Sequence, residues 1–274
     1  MALVGISLLT CTREPEHRRA TEVALHTLLR SDLPRGTAVV CVDNGSTDDT
    51  AEWVASLTVG PGNPVRVIPL AKNLGIPVAR NIAAARLMAD GVKFICEVHN
   101  DHVFPVSEPW LRPLLKAMDE YACLGIASSS LLTPNGTNGS PSVELDYTWN
   151  LGTIVAVVDD CARRHARPGE LRRGLQHPCL KRVSMLREIG LYDESFHMMN
   201  WEDTDEVARA SHAGWSHLVI GGSVVWHHYN LSRTTIVKDP DNYYDNRKRF
   251  LEKWPLEWLE KYEREIREMY AQPA

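Results

Sequence analysis

The feature that most constrains this chain is the alternation in its first sixty residues. Gly5–Thr10 is a short apolar run, and Glu16–Arg30 is an amphipathic segment with Ala20, Val23, Ala24, Leu28 and Leu29 on one side. A second apolar run, Thr37–Val42, ends in the polar turn Asp43–Thr50 and leads into a helix over Thr50–Leu57. Apolar strands separated by amphipathic helices form a parallel sheet covered on both faces, and such sheets collect ligands at the carboxyl ends of their strands. At 274 residues, 44% of them hydrophobic, the chain fits one sizeable α/β domain with a tail, or two small domains sharing a sheet.

The pattern continues with strands over Val65–Pro69 and Lys93–Glu97, a helix running through Ala89, a helix over Trp110–Tyr121 and a strand over Leu124–Ser129. The Thr-, Pro-, Asn- and Gly-rich stretch 132–142 reads as a loop. Trp149–Leu175 carries Arg163, Arg164 and Arg167 and shows no readable element; it suits acceptor recognition or a solvated charged loop equally. The segment 230–242 looks irregular, and Tyr243–Tyr270 is helical, with Trp254, Trp258, Leu259, Tyr262, Ile266 and Met269 at helical spacing. That apolar face calls for docking on the domain or on a partner chain, including a second copy.

Three strand ends and one helix start carry the chemistry. Asp43 and Asn44 can exchange hydrogen bonds with a base or ribose edge, unless the turn only caps the next helix through Asp48. Asn73 to Asn81 is a loop feeding a helix N-terminus with Arg80 nearby, which suits an anionic diphosphate; an ion pair from Arg80 to the Asp43 turn is the plainer account. At the fourth strand end, alternation puts His99 and Asp101 on one face and Asn100 and His102 on the other, so the first pair could share a divalent ion. Mixed imidazole and carboxylate donors suit Mn²⁺ better than Mg²⁺. Finally, Asn200–Gly214 packs Glu202, Asp203, Asp205 and Glu206 into one helix start, with Trp201 ahead of them where a large ring would be poorly hidden. Asn200 as N-cap, acids complementing the helix dipole and a left-handed Gly214 would explain the stretch without a function.

Taken in order, these stretches resemble the inverting family 2 glycosyltransferases of the GT-A fold. The matching residues are Gly190, Leu191, Tyr192, Asp193, Glu194 and Phe196; then Glu202, Asp203, Asp205, Arg209 and Gly214; then His227 at a strand end. The family's Asn-x-Gly-x-x-x-Ala-Arg-Asn falls on Asn73, Gly75, Ala79, Arg80 and Asn81, and its Asp-x-Asp falls on His99 and Asp101. Where the family shows Pro-x-Tyr-Asn, this chain has Cys11-Thr12-Arg13-Glu14, a departure at the base-stacking position.

The resemblance implies a Rossmann-like, mixed but mainly parallel sheet flanked by helices with a helical C-terminal tail. Residues 1–230 would form the transferase domain, with a nucleotide-sugar half over 1–105 and an acceptor half over 106–230, and 231–274 would be a helical extension. It further implies donor contacts from Thr12, Arg13, Asp43, Asn44, Asn73, Arg80, Asn100 and Asp101, and a metal held by Asp101, His227 and His99. Asp203 becomes the general base, with Trp201 and Glu202 positioning a hydroxyl acceptor on a glycan, a small molecule or a modified base.

Charge and cysteine usage narrow the setting. A net charge of -5 argues against tight binding to polyanions and disfavours a nucleic-acid acceptor, although basic residues around 163–173 leave one open. No run of about 18 apolar residues exists to span a membrane. Residues 2–9 read as a strand, not a signal peptide, and six scattered cysteines without a CxxC pair read as reduced thiols of a cytoplasmic protein. Two rivals stand beside a transferase. A nucleotidyltransferase would want a Gly-rich loop after the first strand, and Cys11–Arg19 has no glycine; a catalytically silent nucleotide-sugar-binding module would use the acids only as caps.

Overall fold

A computed structural model describes residues 3–59, 63–136, 140–228 and 241–271. The expected alternation is its backbone. In order come β1 (Val4–Thr10), α1 (Pro15–Arg30), β2 (Ala38–Asp43), α2 (Thr50–Ala55), the two-residue β3 (Thr58–Val59) and β4 (Asn63–Pro64), β5 (Arg66–Pro69) and α3 (Ile76–Ala89). Then follow β6 (Phe94–His99), β7 (His102–Val103), α4 (Leu111–Glu120), β8 (Leu124–Leu132), α5 (Leu151–His165), β9 (Leu171–Arg173), β10 (Cys179–Arg182) and α6 (Val183–Ile189). The chain continues through α7 (Glu202–His212) and β11 (Ser216–His227) to the tail helices α8 (Asp241–Lys253) and α9 (Leu256–Ala271).

The main sheet runs β5-β2-β1-β6-β10-β8-β11-β7, with β9 also pairing with β11. β5, β2, β1 and β6 are mutually parallel; β10 is antiparallel to both β6 and β8, which restores the original direction for β8 and β11. The register aligns Thr10 with Asp43, Leu9 with His99 and Asp43 with Pro69, so the polar strand ends lie along one edge.

Strand alternation sorts the core into two layers. Val39, Cys41, Ile6 and Leu8 join α1 and α4 through Leu25, Leu28, Leu111 and Leu114, whereas Val40, Val42 and Ile95 join α3, α6 and α7 through Ala83, Leu87, Met185 and Val207. The stretch that showed no readable element holds α5, capped by Asn150 Oδ1 accepting from Thr153 N at 2.9 Å, with Ile154, Val158, Cys161 and Ala162 buried at helical spacing. Of the segment expected to be irregular, 230–240 lies outside the described residues.

As far as Tyr262 the apolar face of the tail docks on its own chain; the side chains of Ile266 and Met269 lie outside the described ones. Phe250 and Leu259 form a cluster with Phe196, Trp201 and Ala208; Trp254 Nε1 donates to Asp205 Oδ1 at 2.9 Å, and Lys253 pairs with both Asp193 (3.0 Å) and Asp205 (2.8 Å).

Two of the contacts between early and late parts of the chain are made by α3 and its start. Asn81 exchanges bonds with Tyr192, Nδ2 donating to its carbonyl at 2.9 Å and Oδ1 accepting from its N–H at 3.0 Å. At the start of α3, Ile76 N donates to Met198 O at 2.6 Å, and a side chain on Gly75 (φ 87°) would lie 2.8 Å from Met198 Cα. Gly75→Ala therefore combines a left-handed φ with a backbone clash, and chemical denaturation should record a loss of about 1–3 kcal/mol; unchanged stability would mean the two parts are not in this contact.

Candidate active site

The first constellation forms where β6 stops. After His99 the chain turns at Asn100 and Asp101 before β7 begins at His102, so strand alternation does not extend past His99. The expected separation of His99 and Asp101 from His102 is therefore wrong: His99 N donates to His102 Nδ1 at 3.1 Å, and the two rings stack 5.0 Å apart. His227 arrives on β11 in register with His102, and its Nε2 lies 3.3 Å from Asp101 Oδ1. One ligand atom from each of His99, Asp101, His102 and His227 lies within 4.8 Å of the others.

Burial, then the charges of His227 and His177 among others, pushes His99 and His102 well below the usual histidine range. Burial works against ionisation of Asp101, but His227 outweighs it and holds the carboxyl at about 2. Neutral imidazoles beside an ionised carboxylate are the state that binds a cation. His102 Nε2 is buried without a hydrogen-bond partner among the described residues, which also fits a ligand atom. The donor set of three nitrogens and one oxygen suits a first-row transition ion better than Mg²⁺.

The second constellation is the start of α7. Trp201, not the expected Asn200, is the N-cap, in a left-handed conformation (φ 74°), and Met198 (φ 56°) and Asn200 (φ 74°) share that region. Its ring is not exposed as expected but is buried against Phe250, 5.2 Å away, and Tyr243, 5.6 Å away. Asp203 Oδ1 accepts from Thr204 N at 2.7 Å, and Glu202 Oε2 is buried with no partner among the described residues. Burial raises Asp203, only partly offset by Thr204; burial and then the Asp203 charge push Glu202 well above the usual carboxylate range. Gly214 is left-handed behind the helix (φ 85°), as expected.

A buried charge network fixes the second constellation to the first. Lys181 on β10 is 1% exposed and lies 2.9 Å from Glu97 Oε2 and 2.6 Å from Glu206 Oε2. Its Nζ donates to Tyr192 Oη (2.6 Å), which donates to Glu97 (2.8 Å). Burial opposes the lysine charge, but Glu206 and Glu97 outweigh it and raise Lys181 above its usual range. The network joins Glu97, two residues before His99, to Glu206, one turn into α7. A lone lysine in the short run Cys179-Leu180-Lys181 was the signal in the sequence; which acids it would meet was not.

The remaining candidates line the strand ends but spend many of their polar atoms on one another. Asp43 Oδ1 accepts from Ser46 N (2.9 Å), and Asn44 fastens the loop after β5, accepting from Leu74 N (2.8 Å) and donating to Asn73 Oδ1 (2.9 Å) and Gly75 O (3.2 Å). Thr12 donates to Asp48 (2.6 Å) and Asn100 to Thr21 (3.0 Å), while Arg13 is exposed. Arg80 is placed differently from expectation and forms no pair with the Asp43 turn. It is 1% exposed, with Nη1 donating to Ser7 O (2.6 Å) and Nη2 to Val98 O (2.7 Å), so it clamps β1 to β6. His177 and Lys181 are the additions that the sequence did not single out, and His102 and Glu206, noted there without an assigned contact, join them; the His177 ring stacks on His99 at 4.7 Å.

This edge, with three histidines clustered on Asp101 on one side and paired acids on the other, belongs to a known class. The sequence model of glycosyl transferase family 2 matches residues 16–165, more than half of the chain, and the chain belongs to that family. Its fold is the GT-A fold of known glycosyltransferases. Staphylococcus aureus TarS 1–349 in complex with UDP aligns at 16% identity over 90% of this chain and 63% of that one, with a TM-score of 0.60. GalNAc-T7 with UDP, GalNAc and Mn²⁺ aligns at 15% over 92% and 48%, TM-score 0.64. The Pyrobaculum calidifontis mannosyltransferase PcManGT with GDP-Man and Mn²⁺ aligns at 16% over 84% and 57%, TM-score 0.52. The chain thus spans less than two thirds of the length of each. Among curated protein sequences no relative matches it. No helix among the described residues is long and apolar enough to cross a membrane.

Removing Lys181 leaves two buried carboxylates without their cation. Lys181→Met should cost about 3–5 kcal/mol in chemical denaturation; a loss under about 1 kcal/mol would mean the network does not hold α7 to the sheet.

Proposed function

We propose that this chain moves a sugar from a nucleoside-diphosphate sugar to a hydroxyl acceptor with inversion at the anomeric carbon, using a divalent cation and Asp203 as general base. The observation that carries the reading is the cage of His99, Asp101, His102 and His227, tied through Glu97, Lys181 and Glu206 to the helix that begins with Glu202 and Asp203. The similar structures hold UDP, UDP-GlcNAc, GalNAc, GDP-Man and Mn²⁺, which supports a sugar nucleotide as donor and a transition ion as its companion. The six free thiols favour a reducing, cytoplasmic setting.

Asp101 would hold a divalent ion through its carboxylate and His99, His102 and His227 through nitrogen, and the chemistry such an ion would supply is neutralisation of charge on the departing diphosphate. Thr12, Asp43, Asn44 and Asn73 build the wall against which the nucleoside rests. Arg13, exposed beside that wall, can reach base or phosphate. Asp203 takes the proton from the attacking hydroxyl, and a raised proton affinity improves it as a base near neutral pH. Glu202, buried beside it with its proton affinity raised by burial and by the Asp203 charge, can donate a hydrogen bond to the acceptor from its protonated form. Trp201 shapes the acceptor side from beneath, through its packing on Tyr243.

Asp203→Asn should lower transfer by about 10²–10⁴-fold and leave donor affinity by calorimetry nearly unchanged; substantial remaining transfer refutes the assignment. In the parent, transfer should fall as pH drops through the raised Asp203 value, above the range of an ordinary aspartate, and the variant should lack this acid limb. Asp101→Ala should abolish the gain in UDP or GDP affinity that Mn²⁺ confers on the parent, and EDTA should reproduce the loss; an unchanged gain removes Asp101 from the site. Hydrolysis of no member of a nucleotide-sugar panel would favour a silent binding module instead.

A further inference from the structure

We propose that Asn246, on the tail helix α8, is a positioning residue for the acid-bearing start of α7; the proposal rests on the reading of Asp203 as the base. Residues 197–201 form no regular element, yet Met198, Asn200 and Trp201 adopt left-handed φ values of 56°, 74° and 74°. Such conformations persist only where the surroundings over-determine them. Here the surroundings are largely one side chain.

Asn246 is 0% exposed. Its Oδ1 accepts from His197 N at 3.2 Å, and its Nδ2 donates towards His197 O (2.8 Å), Met199 O (2.9 Å) and Asn200 O (3.2 Å). Asn242, one turn earlier, adds a second donor to His197 O at 2.8 Å. The carbonyl that neither asparagine takes, Met198 O, accepts from Ile76 N at the start of α3 (2.6 Å). The loop is gripped on one side by α8 and on the other by the loop that Asn44 fastens. Glu202 and Asp203 are the next residues along the chain.

These bonds fall on the backbone just before the two acids, whereas α8 is anchored elsewhere. Phe250 lies in an apolar cluster, Trp254 bonds Asp205, and Lys253 pairs with Asp193 and Asp205. Losing Asn246 therefore leaves the helix docked and lets the loop relax. A misplacement of the base by about 1 Å is enough to cost up to ~10²-fold in rate. The tail helix thus belongs to the catalytic unit.

The test compares Asn246→Ala with Trp254→Phe, which removes the bond to Asp205 and leaves the asparagine bonds to the backbone of 197–200 in place. Amide hydrogen exchange, kcat and donor KM are measured for both. Asn246→Ala should speed exchange across residues 197–203 and lower kcat by about 10–100-fold while donor KM stays within about two-fold. Trp254→Phe should do neither, and Asn242→Ala should act in the same direction but more weakly. Unchanged exchange in Asn246→Ala overturns the proposal, as does an equal fall in kcat in Trp254→Phe. Should Asn246→Ala not fold, Asn242→Ala decides: altered exchange and kcat support the proposal, and unaltered values overturn it. The exchange readout needs no transfer, so a loosened loop with lowered kcat, alongside an Asp203→Asn variant that keeps transfer, would sink the base reading and leave the positioning role standing.

Discussion

The structure turns on an ammonium group buried between two carboxylates. Lys181 sits in β10, which runs against both of its neighbours, and it meets Glu97 from β6 on one side and Glu206 from α7 on the other. Removing three charges from water is costly, and such a cluster persists only when each charge has close partners and hydrogen bonds. Tyr192 supplies the additional bonds. The consequence is geometric: the helix start that carries Glu202 and Asp203 cannot slide relative to the strand end that carries His99 without breaking the cluster.

Two further devices work in the same direction. Arg80 bridges the carbonyls of Ser7 and Val98, which fixes β1 against β6 near their ends, and Asn44 fastens the loop before α3. On the opposite side the tail helices bury Trp201 and clamp the strained backbone before α7. The polar edge is therefore built mainly from groups that hold one another. Among the described residues, the buried atoms left without a hydrogen-bond partner here include His102 Nε2, Glu202 Oε2 and Trp201 Nε1. Undercommitted groups within a rigid frame are where a ligand can be bound without first breaking internal bonds.

Much of the scaffold was legible because it depends on periodicity. The alternation of apolar runs and amphipathic segments identified β1, β2, β5 and β6 and the helices between them, and the ordered motifs fall at the strand ends and at the start of α7. The individual contacts were less legible, for local reasons. Extending strand alternation past His99 misplaced His102, because the chain turns at Asn100 and Asp101. The arginines of 163–167 drew attention from the helical spacing of Ile154, Val158 and Cys161 that defines α5. Arg80 was read as a phosphate ligand because its motif precedes a helix; two nearby strand carbonyls compete for the same donors and hold them. Lys181 required knowledge of which strand pairs antiparallel to β6, and that is a property of topology with no local signature.

The most direct measurement of the central claim is a crystal structure with Mn²⁺ and a nucleoside diphosphate, with the ion located by anomalous scattering. The account predicts one strong anomalous peak bounded by His99, Asp101, His102 and His227, with the diphosphate lying between that peak and the Glu202–Asp203 helix start. A peak elsewhere, or a diphosphate bound away from α7, would contradict the claim that these two groups form a single site.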